Sequence, residues 1–284
     1  MSTAHLAPSP VLGGRLARND LVLTVAGLLC AALVLLALFG PFLAPYPPDE
    51  TDILAAGQGP SAQHLLGTDS LGRDLLSRLL AGARPSLMAP AVTVLISSVL
   101  GTAIAIAAAY HGGKVDRMTA RVLEIMFAVP GVLVAVLAAA VLGTGLWTPV
   151  IALSLIYIPY VARVVRSAAV RECRLPYVEA CRLAGLSGWR ICTRHVLRNV
   201  APLAVAQGTL AFGWALMDFG AISFLGLGVQ PPQAEWGVMV NEGRPEMLDG
   251  ALQQSLSAGL LIVLAVVSFN ILGERLSTRI GVST

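Results

Sequence analysis

The chain has 284 residues; 56% are hydrophobic, only 12% are charged, and the formal net charge is +3. Soluble domains carry about 25% charged residues, so this composition, with a mean hydropathy of +0.77, points to one polytopic membrane domain and away from a soluble enzyme. The basic excess is small and its arginines divide between the flanks of apolar runs, which argues against nucleic acid as a partner.

Residues 1–20 read as an N-terminal tail. Leu21–Ala44 is uncharged, too long for a signal-peptide core of roughly 7–15 residues, and matches the about 20 residues that one crossing needs. It is a retained first span, ended by Pro41 and Pro45. The more polar segment 45–85 follows. In it Thr68 or Asp69 is placed to cap a short interfacial helix through Leu75, Leu76, Leu79 and Leu80. Arg73 and Asp74 read either as packing and ion-pair partners or as neighbours of a polar path.

Ser86–Tyr110 is the second span, introduced by Gly82 and Pro85. Its Ser97, Ser98, Gly101 and Thr102 are small residues suited to close helix packing in lipid. His111–Arg121 reads as a short basic turn. Ile125 to Ala162 carries no charge and would overshoot the roughly 30 Å hydrocarbon core as one helix. Gly143-Thr144-Gly145 and Pro149 divide it into spans Ile125–Leu142 and Leu146–Ala162, joined by a tight hairpin. Pro130 and Pro159 invite kinks, which serve either static packing or a gating bend.

Pro176 to Pro202 breaks the apolar pattern. It holds Glu179, then Arg182, Arg190, Arg194 and Arg198, with His195 among them. At mid-bilayer each such charge costs about 2.5–3.5 kcal/mol, so the segment is a polar excursion between spans. Its acidic start and basic finish fit a short surface helix beginning at Pro176, and Gly185 and Gly188 permit a break or a close approach. Span five covers Pro202–Leu225 and contains Asp218, a carboxylate in an apolar run. Such a group either touches a solute path or makes an ion pair or hydrogen bond inside the bundle. Gly226–Asp249 is acidic and rich in Gly and Pro, with Trp236 suited to a membrane interface. Gly250–Gly273 is span six.

Six spans place both termini, the turn 111–121 and the central loop on one side. Fifteen of the nineteen Lys and Arg lie there; only Arg73, Arg78, Arg84 and Arg244 lie opposite. The positive-inside rule makes the fifteen-residue side, including both termini, cytoplasmic. The four cysteines, Cys30, Cys173, Cys181 and Cys192, lack any CxxC spacing and the four histidines are scattered, so neither a disulfide scaffold nor a metal cluster is expected.

Three blocks carry a resemblance. Glu179-Ala180-Cys181, Gly185 and His195 through Pro202 resemble the cytoplasmic loop of ABC importer permeases. Leu66-Gly67-Thr68-Asp69 with Leu71-Gly72-Arg73-Asp74, and Ser223 to Gly228 with Gln230-Pro231-Pro232 and Trp236-Gly237, resemble the second permease subunit of the dipeptide, oligopeptide, glutathione and nickel uptake branch. Tyr110, Gly112, Gly113 and Asp116 also resemble its pattern. The resemblance implies an all-α polytopic membrane protein with six transmembrane helices of the type I importer permease kind: a first helix at 21–44, an extracytoplasmic segment at 45–85, a five-helix core at 86–275 with its coupling loop at 166–200, and a cytoplasmic tail at 276–284. It implies a bacterial plasma (inner) membrane location and an import substrate that is a di- or oligopeptide, with glutathione or nickel as alternatives. It implies that Glu179, Ala180, Cys181, Gly185 and His195 belong to an ATPase-coupling element. The partners implied are a related second permease, two ATPase subunits or domains that bind ATP and Mg, and an extracytoplasmic solute-binding protein. This chain would bind no cofactor itself.

The sequence departs from the family pattern at four places. Cys181 replaces an alanine, Arg198 stands where a proline is usual, Glu124 stands for an aspartate, and Asp218 precedes by one residue the usual acidic position, now Phe219. One residue is roughly 100° around a helix. Other function classes fare worse on motifs: there is no GxxxxGK[ST], HExxH or GxSxG. A lone His195 lacks catalytic partners and reads as a packing or capping residue. A secondary transporter would want an internal ion site at broken helices and a repeat, and Asp218 alone supplies only a hint of one.

Overall fold

The longest unbroken helix begins at an aspartate. Asp74 takes the N-cap of α2 (Leu75–His111), its Oδ2 accepting from the Ser77 amide at 2.8 Å, as a short acceptor at this position does. This corrects two sequence expectations. The cap is Asp74 rather than Thr68 or Asp69, and the short interfacial helix and the second span are one helix that runs through Pro85 and Pro90. Proline removes one donor and crowds the preceding turn. The stretch is closely packed: a Cβ on Gly82 would stand only 3.3 Å from the backbone of Ala234 and Glu235.

The structure, a computed structural model, describes residues 11–248 and 250–279, with side chains described from 21 to 276 apart from 249. The N-terminal tail expectation for 1–10 and the C-terminal one for 280–284 lie outside the described residues. Within 11–20 the backbone is already helical, because α1 spans Val11–Leu43. Among the described residues all regular structure is helical.

Among the described residues five helices are long and apolar enough to cross a membrane: Leu21–Leu43 of α1, α2, α5 (Trp147–Cys173), the run from Gly188 to Phe224, and α11 (Gln253–Arg279), which follows the short α10 (Arg244–Leu248). The pair α3 (Gly113–Ala128) and α4 (Gly131–Leu142), bent by 82°, brings the number to six where it counts as one broken span. The break lies at Val129-Pro130. Pro130 has no amide proton to continue α3 and takes the first position before α4, so the expected kink becomes a corner. The turn at 111–121 is also corrected. Gly112 and Gly113 have φ of +63° and +53° and reverse the chain within two residues, after which α3 starts at once. The expected hairpin between the third and fourth spans is present, with Gly143 at φ +81° and the Thr148 hydroxyl donating to the Gly143 carbonyl at 2.8 Å.

Small residues set the helix crossings. A Cβ on Gly101 of α2 would stand 3.0 Å from the Ile158 carbonyl oxygen and 3.1 Å from Val161 Cβ, so α2 and α5 touch backbone to backbone there. Gly273 of α11 does the same against Thr209 and Leu210. Among the described residues four apolar clusters result, the smallest of them Leu123, Ile158 and Ala162. One surrounds Leu153, Tyr157 and Phe219; one joins Leu33, Leu75, Leu79, Leu216 and Trp236; one joins Ile106, Val161, Val165, Val178, Ile191 and Val196. Trp236 also corrects an expectation. It is fully buried rather than interfacial, and its indole N–H donates to the Leu79 carbonyl at 3.0 Å, a partner that a buried indole requires.

Candidate coupling site and outer ion network

The central loop folds as expected at its start and finish. α6 (Pro176–Leu183) has proline at its first position and Glu179 in its first turn, where a missing amide costs nothing and the dipole favours an acid. It ends in a Schellman motif. Gly185 takes φ +76°, its amide donates to the Arg182 carbonyl at 3.0 Å, and the Leu186 amide donates to the Cys181 carbonyl at 3.1 Å. Among the described residues nothing lies within 4 Å of a Cβ built on Gly185, so the glycine is required by the backbone angle and not by crowding.

Beyond it, Ser187 caps α7 (Gly188–Arg190), which passes into a π-helical turn, Ile191–Val196, and then α8 (Leu197–Phe224). The loop's return is therefore helical all the way into the fifth span, and Arg198 in place of proline is compatible with that unbroken run.

Val178 is the buried side of α6, seated with Val165, Ile191 and Val196. Glu179, Ala180 and Gly185 are exposed, and Leu183 and Trp189 are 84% and 79% exposed. Cys181 and His195 are half-buried in the seat. The His195 ring lies 6.4 Å from that of Tyr177, and Cys181 packs into the cluster that also receives Cys173 and Cys192, all three being free thiols.

The polar ties of the seat were not legible from the sequence. The Tyr177 hydroxyl donates to Glu172 Oε1 at 2.7 Å, and Asn199 Nδ2 donates to the same oxygen. Burial, then the bond to Glu172, hold the Tyr177 hydroxyl above the ordinary phenol range, so it stays a donor. This triad ties the end of α5, the first turn of α6 and the start of α8. Asp116 on α3 receives a bidentate pair from Arg166 on α5 at 2.6 and 2.7 Å.

Asp218 is not part of this site. It lies on α8 beside the Tyr157 and Phe219 cluster, and its Oδ2 accepts from the Tyr157 hydroxyl at 2.9 Å. The hydrogen bond inside the bundle, one of its two expected roles, is thus present.

At the other end the stretches next to the remaining two blocks come together. Asp69 pairs with Arg73 at 2.6 Å; Arg73 and Arg78 both reach Glu242 on α9 (Trp236–Glu242), at 3.2 and 2.8 Å. Glu235 caps α9 through the amides of Gly237 and Val238 and accepts from the Ser86 hydroxyl at 2.8 Å. Burial pushes the Glu235 carboxyl up, against the pull of these donors. Arg73 and Asp74 are structural ion-pair and capping residues here, with His64 Nδ1 3.0 Å from Asp74.

Residues 97–282, which include the whole central loop, match the family model described as binding-protein-dependent transport system inner membrane component. The chain belongs to this family. Residues 14–60 of the permease match the N-terminal TM domain of oligopeptide transport permease C. It is 38% identical over 256 residues to a glutathione transport system permease protein, GsiD, of Pectobacterium atrosepticum, covering 90% of this chain and 85% of that one. It is 38% identical over 263 residues to the protein of the same name from Shigella sonnei, covering 92% and 86%. Its fold resembles a chain of the inward-facing MetNI methionine ABC transporter, with a TM-score of 0.58 at 17% identity, covering 72% of this chain and 96% of that chain. The permease is thus a non-catalytic, multi-pass inner-membrane subunit of an ATP-driven ABC importer, in the peptide, oligopeptide and glutathione family.

Proposed function

We propose that this permease forms half of a translocation path for di- or oligopeptides and receives the ATPase's movement through α6. The observation that carries the coupling role is the outward face of α6. Glu179, Ala180 and Leu183 stand exposed on an eight-residue helix whose other side is pinned by Val178 and the Tyr177–Glu172–Asn199 bonds. A pinned helix that exposes Leu183 and Ala180 beside the charged Glu179 fits a cleft on a partner, where the apolar side chains leave water and the acid finds a donor. Gly185 sets its end, and Cys181 and His195 help seat it.

The other half of the path would come from a related second permease. ATP and Mg would be held by two partner ATPase subunits or domains, since this sequence has no GxxxxGK[ST]. The fifteen-to-four division of Lys and Arg supports cytoplasmic termini and a cytoplasmic α6. The segment 45–74 and α9 would then face outward, where a solute-binding protein delivers substrate.

A second substrate reading is favoured by the relatives: glutathione, itself a tripeptide, is named for permeases 38% identical to this chain. Nickel is the remaining alternative. Reconstituting the permease with the products of its neighbouring genes in vesicles separates them. ATP-dependent accumulation of a radiolabelled dipeptide or oligopeptide supports the first reading, and of glutathione alone the second. Uptake of nickel with neither peptide nor glutathione overturns both.

A further inference from the structure

Tyr110, the penultimate residue of α2, is held between two parts of the central loop. The Arg182 guanidinium lies 4.6 Å from the centre of its ring and also donates to the Tyr110 carbonyl at 3.3 Å. From the other part, a Cβ on Gly188 would stand 2.8 Å from the ring's Cε1, so α7 lies directly against the ring and a larger residue there would displace it. The loop is joined by chain to α5 and α8 but not to α2. The face and edge of one tyrosine therefore supply a contact by which α2 follows the loop.

The opposite end of α2 is anchored as firmly. Arg78 is fully buried against Glu242, and Ser86 bonds to Glu235. Pro85 lies among the anchoring residues, and Pro90 stands between them and Tyr110; each proline lacks one helical hydrogen bond. A helix held at both ends by non-covalent contacts carries displacement from one to the other, provided that the contacts at each end survive it.

We infer that Tyr110 is a positioning residue for energy coupling: it transmits movement of α6 to α2, and through α2 to the extracytoplasmic network at Glu235 and Glu242. This rests on the reading of α6 as the element that meets the ATPase. It adds a specific route, through α2 rather than only through the helices that continue from the loop.

The test uses the complete transporter with its ATPase in vesicles, reading the ATPase retained on purification and the substrate imported per ATP hydrolysed. Tyr110→Phe keeps the ring and should import as wild type. Tyr110→Leu removes the ring. It should retain the ATPase and its hydrolysis, while import per ATP falls about fivefold, the size expected for a coupling contact. Arg182→Leu should fall similarly, and the double variant no further than either single one, because both changes break the same contact. Wild-type import per ATP in Tyr110→Leu overturns the inference. So does a Tyr110→Phe variant as uncoupled as Tyr110→Leu, or a Tyr110→Leu complex that simply loses its ATPase, since the residue would then only hold the loop's shape. Should the wild-type complex retain no ATPase, the reading of α6 fails first and separately.

Discussion

Arg78 on α2 donates to Glu242 on α9 at 2.8 Å, although 164 residues separate them in the chain. Arg78 is fully buried and shares Glu242 with the nearly buried Arg73. Removing one member of such a network leaves buried charge without its partner, which costs about 3–5 kcal/mol. Glu242→Leu should therefore lower the melting temperature of the detergent-purified permease and its folded yield. Adding Arg78→Met to it should recover part of the loss, because the orphaned cation is gone. Melting of Glu242→Leu at the wild-type temperature would show that Asp69, 3.7 Å from Arg78 Nε, suffices alone.

Glu235 gives the same region a pH dependence. Its carboxyl is raised by burial in the folded chain, so the folded state holds the proton more tightly than the unfolded one. Stability from this group is then greatest below the ordinary glutamate range and falls as pH rises from there to the raised folded value. The melting temperature should decline across that window, and Glu235→Gln should flatten the decline, which a differential scanning fluorimetry series over pH would read. A variant with the wild-type slope would assign the dependence to another group.

The sequence carried the number of crossings, the helix that starts at Pro176, a break at Gly185 and the hairpin at Gly143, because each depends on local chemistry: charge, proline, glycine. It did not carry Trp236 as core or Arg78 as buried. A tryptophan beside apolar residues at a span's end reads the same whether it faces lipid or a neighbouring helix, and only the Leu79 carbonyl across the fold decides. Likewise Asp74 and Asp69 are equally good caps by type; Asp69 is taken by Arg73. The Tyr110–Arg182 and Glu172–Tyr177–Asn199 contacts involve residues visible in the motifs, but their pairing is a property of the third dimension.

Sidedness has a direct measurement. Ser187 is exposed in the loop between α6 and α7. Placed as Ser187→Cys in a chain lacking Cys30, Cys173, Cys181 and Cys192, and expressed without the ATPase that would cover it, it should react with a membrane-impermeant maleimide only after the cells are opened. Reaction in intact cells would invert the orientation drawn from the arginine division.

Asp218 accepts the Tyr157 hydroxyl at 2.9 Å. Asp218→Asn keeps an acceptor oxygen and removes the charge, whereas Asp218→Leu leaves the hydroxyl without its partner at a cost of about 1–3 kcal/mol. With a structural role, Asn should assemble and transport normally while Leu lowers the melting temperature. Normal assembly of Asp218→Asn with a changed KM for import would instead place the carboxylate's charge on the path.

The proposed coupling role of α6 makes its sharpest demand on two exposed residues. Gly185 sits at φ +76° with open space around it. Gly185→Leu would force a branched side chain into the left-handed region, at about 1–2 kcal/mol, and so misplace the end of α6. Ala180 has no such constraint: it is exposed on a regular helix, where leucine is as good a helix former as the position needs. Ala180→Leu should therefore leave the melting temperature of the isolated permease unchanged. In the complex the added volume meets the partner's surface, where overpacking costs about 1–3 kcal/mol, so the ATPase recovered per permease on mild-detergent purification should fall roughly five- to a hundredfold in affinity terms. Gly185→Leu should weaken retention as well, but with a small loss in the isolated permease. If the double variant Ala180→Leu/Gly185→Leu holds its ATPase fully and imports normally per ATP, α6 does not lie in the partner's cleft, and the coupling element must be sought in another cytoplasmic part of the chain.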